Sequence, residues 1–306
     1  MLRRIVLADN MDVLRSLESG CVNLVYTDPP FNTGRERRLA RVRTSRDPRG
    51  RRVGFGGHRY SEKRLGGVSY PDRFDDYLGF LEPRLREAHR VLAADGSIFV
   101  HLDPRESHYV KVLMDSIFGR ASFMNEIVWA YDFGGRPRTR WPAKHDIILW
   151  YAKDPERYTF NYDEIDRIPY MAPGLVGPEK AARGKTPTDV WWHTIVPTSG
   201  RERAGYPTQK PLAIVERIVR VHSRSGELLL DFFAGSGTLG EAAARLGRQF
   251  ILVDSNPEAV RIMARRLAFA GCECVGFESC TPNQGTSRAA QRGPGAHGSR
   301  EVRRWR

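Results

Sequence analysis

The chain has 306 residues, 41% of them hydrophobic and 10% aromatic, and a formal net charge of +13 from 49 Lys and Arg against 36 Asp and Glu. That length allows one large domain or two modest ones, with enough apolar content to bury a core without staples. Four cysteines exclude a disulfide scaffold, and the lack of any run of about 18 apolar residues excludes a transmembrane helix.

In chain order, MLRRIVLADN reaches Asp9 too soon for a secretory signal, so an intracellular protein without a membrane partner is expected. VNLVYT at 22–27 is a β-rich apolar run that stops abruptly at Asp28-Pro29-Pro30-Phe31, a buried strand entering a rigid turn. From Arg35 to Arg64 there are 12 Lys and Arg against 3 Asp and Glu, a local charge of +9. With four glycines and eleven arginines, this segment is expected not to order itself but to close over phosphates. Residues 75–92 predict a helix with Tyr77, Leu81, Leu85, Ala88 and Leu92 on one face, kinked or delayed by Pro83. Asp95-Gly96 predicts a turn, 97–103 a buried strand, 106–118 a helix stopped by Gly119, and 126–131 and 146–152 two further strands. Regularity fades over 153–206, where Trp191-Trp192-His193 stands out. It resumes with a helix at 211–222, a strand at 228–233, a helix at 238–247, a strand at 249–254 and a helix at 257–271. Such alternation with short turns means a parallel sheet with crossovers. From Cys280 to Arg306, 6 Arg against 1 Glu sit among Gly, Pro and Ser, a basic tail expected to be disordered. The charge excess is thus carried by two appendages on a near-neutral body, which points to a polyanion such as nucleic acid.

Two turns carry chemistry. In LLLDFFAGSGTLGEAAARLGRQFILVDSN a strand enters a glycine turn, a helix follows, and the next strand ends in Asp254. Gly235 and Gly237 let the backbone approach a ligand, the new helix offers free N–H groups, and Asp254 can accept ribose hydroxyls of an adenosine cofactor. GSGTLG also satisfies the dinucleotide fingerprint, so this turn alone does not separate NAD from S-adenosyl-L-methionine (SAM). Phe232 and Phe233, crowding the turn before the glycines, favour SAM. The second turn is Thr27-Asp28-Pro29-Pro30-Phe31-Asn32. Its prolines stiffen the backbone and remove two donors, leaving carbonyl acceptors beside a carboxylate and an aromatic ring. Such a group can receive both N–H bonds of an exocyclic amine while Phe31 stacks on the base. Cys272-x-Cys274 with Cys280 lacks a second pair or a nearby His to complete a metal site, and no metal is expected.

With DPPF and FAGSG together, the sequence resembles the SAM-dependent amino-methyltransferases of DNA, which methylate adenine N6 or cytosine N4. DPPF precedes FAGSG by about 200 residues, similar to the permuted arrangement called the β group. The resemblance covers about residues 5–275, including LADNMDVL, SIFVHLD, EIVW, KHDIILWYAK and YPTQKPLAIVERIV, and is greatest to adenine-specific modification methylases. Phe31 stands where such enzymes usually carry Tyr, whereas cytosine-N4 enzymes usually carry Ser at the place of Asp28. The implied fold is α/β, a Rossmann-like methyltransferase sheet, mostly parallel, with helices on both faces and a small target-recognition region. The implied organisation is a catalytic half at 1–130, recognition at 131–206, a SAM-binding half at 207–278 and a tail at 279–306. The resemblance implies that Asp28 and the Pro29 carbonyl bind the target amine within the turn stiffened by Pro30, and that Phe31 stacks on a flipped base. It also implies that Phe233, Ala234, Gly235, Ser236, Gly237 and Thr238 wrap the methionine part of SAM. By the same resemblance, Asp254 would take the ribose, Asp9 would face the adenine of SAM, and Thr208, Gln209 and Lys210 would hold the methionine carboxylate. Partners implied are double-stranded DNA, a second copy as homodimer, and a cognate restriction enzyme.

The leading expectation is a DNA adenine-N6 methyltransferase, with cytosine-N4 methylation as the alternative. An RNA or protein amino-methyltransferase, an inactive DNA-binding relic and a nicotinamide oxidoreductase remain as contrasts.

Overall fold

The computed structural model describes residues 1–34, 37–53, 57–70, 72–197 and 200–277. The expected basic tail at 279–306 lies outside them. In chain order the elements are β1 (Arg3–Leu7), α1 (Asn10–Ser16), β2 (Val22–Thr27), β3 (Arg37–Arg46), β4 (Arg52–Val53), β5 (Arg59–Tyr70), α2 (Tyr77–Val91) and β6 (Leu92–Leu102). They continue with α3 (Ser107–Phe118), β7 (Phe123–Ala130), β8 (His145–Ala152), α4 (Pro178–Arg183), β9 (Val190–Trp192), α5 (Leu212–His222) and β10 (Leu228–Asp231). The last are α6 (Thr238–Arg245), β11 (Gln249–Asp254), α7 (Pro257–Arg266) and β12 (Glu273–Val275).

Nine strands form one sheet in the order β12-β1-β11-β10-β2-β6-β8-β7-β9. Neighbours are parallel except where β8 pairs with β6 and β7, so β8 runs against the rest. Apolar residues alternate between two cores. Leu24, Tyr26 and Phe99 face α5, α6 and α7, whereas Val25, Ile98 and Val100 face α1, α2 and α3. This is the expected α/β architecture with helices on both faces. Leu81 and Leu85 of α2 are fully buried, and cutting either back to Ala should cost about 2–5 kcal/mol.

Several boundaries differ from expectation. The helix α2 starts at Tyr77 because Asp76 caps it, its carboxylate accepting the Gly79 N–H at 2.8 Å, and it runs through Pro83. The expected Asp95-Gly96 turn is absorbed as an irregularity in β6, where the register against β2 jumps from Val22–Leu92 to Leu24–Ser97. The expected long last helix stops at Arg266, giving way to a short 3-10 turn over Ala268–Ala270.

The basic segment departs furthest from expectation. It forms its own antiparallel sheet, ordered β3-β5-β4, with β3 paired to β5 from Arg37–Tyr70 to Arg46–Tyr60. Asp47-Pro48-Arg49-Gly50 makes the reversal. The Gly50 N–H bonds the Asp47 carbonyl at 2.9 Å, and the Asp47 carboxylate takes the Arg49 N–H at 2.9 Å. The hairpin ladder satisfies the backbone without needing a thick core, so low apolar content does not prevent this segment from pairing.

Candidate active site

Strands β2 and β10 are parallel neighbours, pairing Leu24 with Leu229 and Val25 with Leu230. Their carboxyl ends therefore open side by side, at the place where ligands bind in sheets of this kind. The Asp28 turn leaves β2 and the glycine turn leaves β10 into one cleft of about 440 Å³. Asp28, Pro29, Pro30 and Phe31 line one wall, and Phe233, Ala234, Gly235, Ser236 and Thr238 the other. Asp254, at the end of β11, and Thr208, Gln209 and Lys210, ahead of α5, also reach the cleft.

On the Asp28 side, the Lys210 ammonium donates to Asp28 Oδ2 at 2.5 Å and lies 4.6 Å from the centroid of the Phe31 ring. Asp28 Oδ1 is buried without a hydrogen-bond partner. Phe31 stacks on His101 with centroids 6.1 Å apart and planes 29° apart. The buried His101 lies between the Tyr26 hydroxyl, 2.9 Å from Nδ1, and Asp146, 3.1 Å from Nε2. Burial, then the charge of Lys210, holds the imidazole below its usual pKa. Neutral His101 therefore accepts from Tyr26 and donates to Asp146, whose other oxygen takes the Tyr131 hydroxyl at 3.0 Å. After the turn, Asn32 adopts a positive φ of 51°, donates to Glu106 at 2.9 Å and accepts the Phe74 N–H at 3.0 Å. Asn32 and Thr208 are the non-glycine residues with positive φ among those described, and both flank this cleft.

On the glycine side, Asp254 accepts the Gly235 N–H at 2.9 Å and the Asn256 N–H at 2.8 Å, and burial raises its pKa against these two bonds. Gly235 has φ +49°, and a Cβ there would press to 3.0 Å on the Tyr206 ring. Gly237, φ +75°, sits behind the turn, where a Cβ would collide with Met263 at 2.8 Å. Arg266 clasps the turn from behind, donating to Ser236 Oγ at 3.1 Å and Thr238 Oγ1 at 3.0 Å. Beneath both turns lies Asp231, which accepts the Phe233 N–H at 3.0 Å. Burial, with the nearby charges of Asp28 and Asp254, pushes Asp231 well above the usual carboxylate range.

Three expected residues are placed differently. Gly237, behind its turn, does not line the cleft. Asp9 caps α1 through the Met11 N–H at 2.8 Å, faces Arg84 at 3.8 Å, and does not line the cleft. The Gln209 side chain ties its own loop, accepting the Ala204 N–H at 2.7 Å and donating to the Glu202 carbonyl at 2.8 Å. Residues not singled out from sequence also belong here: Phe74, Phe80, Tyr206, Asp231, Asn256 and Pro257. Only the Tyr206-Pro207 pair just ahead of Thr208 hinted at any of them. Among the described residues no group of three His, Cys, Asp or Glu is gathered as for a metal.

The model for the DNA methylase family N6_N4_Mtase matches residues 22–265. The chain belongs to this N6/N4 DNA methylase family. The methylase is 29% identical over 277 residues to the type II methyltransferase M.HpaI of Haemophilus parainfluenzae, covering 90% of this chain and 77% of that one. It is 27% identical over 281 residues to the DNA adenine methyltransferase YhdJ of Escherichia coli K12, covering 88% and 83%. Its fold matches the cytosine-N4-specific PvuII DNA methyltransferase at a TM-score of 0.62, with 15% identity over 90% and 95% of the two chains. The M1.HpyAVI–SAM complex matches at 0.55, with 20% identity over 87% and 99%. DNA is thus the methylase's substrate, and no helix among its described residues is long and apolar enough to cross a membrane.

Proposed function

We propose that this methylase transfers a methyl group from SAM to the N6 amine of an adenine flipped out of duplex DNA. The observation that carries the reading is the opening of the Asp28 turn and the Gly235 turn into one cleft. The glycine side suits SAM: Asp254 stands ready for ribose hydroxyls, Phe80, Phe233 and Pro257 offer apolar walls for the adenine, and backbone N–H groups border the methionine part. Bound there, SAM would supply an electrophilic methyl for transfer.

An adenine amine is a poor nucleophile because its lone pair is delocalised into the ring. Asp28 and the Pro29 carbonyl, accepting its two N–H groups, favour a pyramidal nitrogen and release that lone pair towards the methyl. Catalysis here is positioning and electrostatics. Flipping costs a few kcal/mol, and stacking on Phe31 returns about 1–3 kcal/mol of it. The proton lost from nitrogen passes to Asp28 or to solvent. Residues 131–206 are the proposed recognition region, in which Trp141, Trp192, Arg136, Arg138 and Arg140 are all exposed and able to reach bases or phosphates. It links the catalytic half at 1–130 to the SAM-binding half at 207–278.

Adenine is favoured over cytosine because Asp28 stands where cytosine-N4 enzymes resemble one another in carrying Ser. The likeness in fold to the PvuII enzyme keeps cytosine N4 as the second reading. Expression in a host without adenine methylation, followed by mass spectrometry of hydrolysed DNA, tests both. N6-methyladenine is expected, and N4-methylcytosine alone would overturn the base assignment while leaving the reaction class intact.

A further inference from the structure

Lys210 sits on two of the groups that the target base would use. Its ammonium is hydrogen-bonded to Asp28 Oδ2 at 2.5 Å and sits 4.6 Å from the Phe31 ring centroid. The pair is substantially enclosed, with side-chain exposures of 7% for Lys210 and 19% for Asp28. An ammonium on a carboxylate and an aromatic face imitates an amine-bearing base. The pair also leaves Asp28 Oδ1 buried and unpartnered, a costly arrangement for a carboxylate with no other task.

We propose that Lys210 is a positioning residue that exchanges partners, from Asp28 to the carboxylate of SAM, and so couples cofactor binding to capture of the base. This rests on the reading of the cleft as a SAM and adenine site. Three observations support the exchange. Lys210 stands between the two turns, since its carbonyl accepts the hydroxyl of Thr238, the first residue of α6, at 3.3 Å. The methionine carboxylate lies a short carbon chain from the sulfur, so a methyl aimed at Asp28 brings that carboxylate within reach of Lys210. The reaction moves positive charge from sulfur onto the target nitrogen, and an ammonium held on Asp28 would neutralise the carboxylate that should stabilise it. Lys210 therefore serves the reaction only after leaving Asp28, and only another anion in the cleft compensates its buried charge.

Coupling through a shared residue is reciprocal, so breaking the pair from the Asp28 side should help the carboxylate of SAM. The test is equilibrium binding of SAM and of decarboxylated SAM to the full chain, without DNA, for wild type, Asp28→Asn and Lys210→Met. The readout is the ratio of the two affinities, which cancels effects of Asp28 on the sulfonium common to both. Asp28→Asn should raise the preference for SAM about fivefold or more. Lys210→Met should bring it close to one. A ratio unchanged by Asp28→Asn overturns the exchange even if Lys210→Met fails to fold, because Asp28→Asn alone decides it. If wild type binds neither compound, the reading of the cleft as a SAM site falls, and the exchange with it.

Discussion

At the scale of single residues, Asp28 and Asp254 hold the same kind of group in opposite roles. Asp28 points one oxygen at Lys210 and keeps the other unpartnered, whereas both oxygens of Asp254 are taken by backbone N–H groups of the cofactor side. Asp28→Ala should therefore lower the turnover number by about 10²–10⁴-fold while the protein still binds SAM. Retention of more than about a tenth of the wild-type rate would remove Asp28 from the catalytic role. Asp254→Ala should do the reverse. It should weaken SAM binding by about 10-fold or more, the worth of a hydrogen bond to a charged group, as read by calorimetry. Asp9, by contrast, is committed to capping α1, and its replacement by Ala should cost about 1 kcal/mol of stability, read by chemical denaturation.

At the scale of elements, the end of α5 carries a titration. His222 is packed against Phe99 and Trp150, and burial pulls its pKa from an ordinary 6.5 to about 3. The native state thus holds the ring neutral where the unfolded chain would protonate it. The stability this gives is fully present above pH 6.5 and is lost as pH falls from there towards about 3. His222→Phe should flatten the fall of melting temperature over that window, and an equally steep fall in the variant would assign it to other groups. The hairpin of β3 and β5 carries the second element-scale prediction. Arg49, Arg51 and Arg52 are exposed near its reversal. If about three phosphates are met there, neutralising these residues should reduce the slope of log K against log salt by about 0.9 per contact, with the methylated base unchanged. An unchanged slope would make the hairpin a solvated surface.

The same elements show what a sequence can reveal. The strands and helices from Pro211 onward, with apolar runs and a glycine turn, were legible because local pattern and global packing agree there. The Asp28 and Gly235 turns were legible because prolines and positive-φ glycines have few structural uses. The hairpin was misread because its Arg-rich strands lack apolar alternation, although the Asp-Pro-Arg-Gly reversal signals a turn. The three-residue strands β9 and β12 exist only through their partners β7 and β1. Asp231 falls inside the strand expected at 228–233, and no local signal shows that it is buried in the cleft between two turns that lie about 200 residues apart. Nor could residue spacing show that Lys210 is paired with a carboxylate 182 positions away.

At the scale of the molecule, the sheet order ties early segments to late ones. The strand β1 pairs with β11 from Arg3–Phe250 to Leu7–Asp254, and β2 pairs with β10. During synthesis at about 5–20 residues per second, the first strands would wait on the order of 10–40 s for neighbours still on the ribosome. Until then β1 and one edge of β2 expose apolar side chains and unpaired backbone, a template for aggregation. Chains ending before β10 should accordingly partition into the insoluble fraction, and full-length chains should depend on chaperones while nascent. A ribosome-bound chain also cannot assemble the cleft before Asp254 has emerged. Methylation by this protein therefore cannot begin until the whole of β11 has left the ribosome, so the activity appears after a delay set by the 254 residues that end at Asp254.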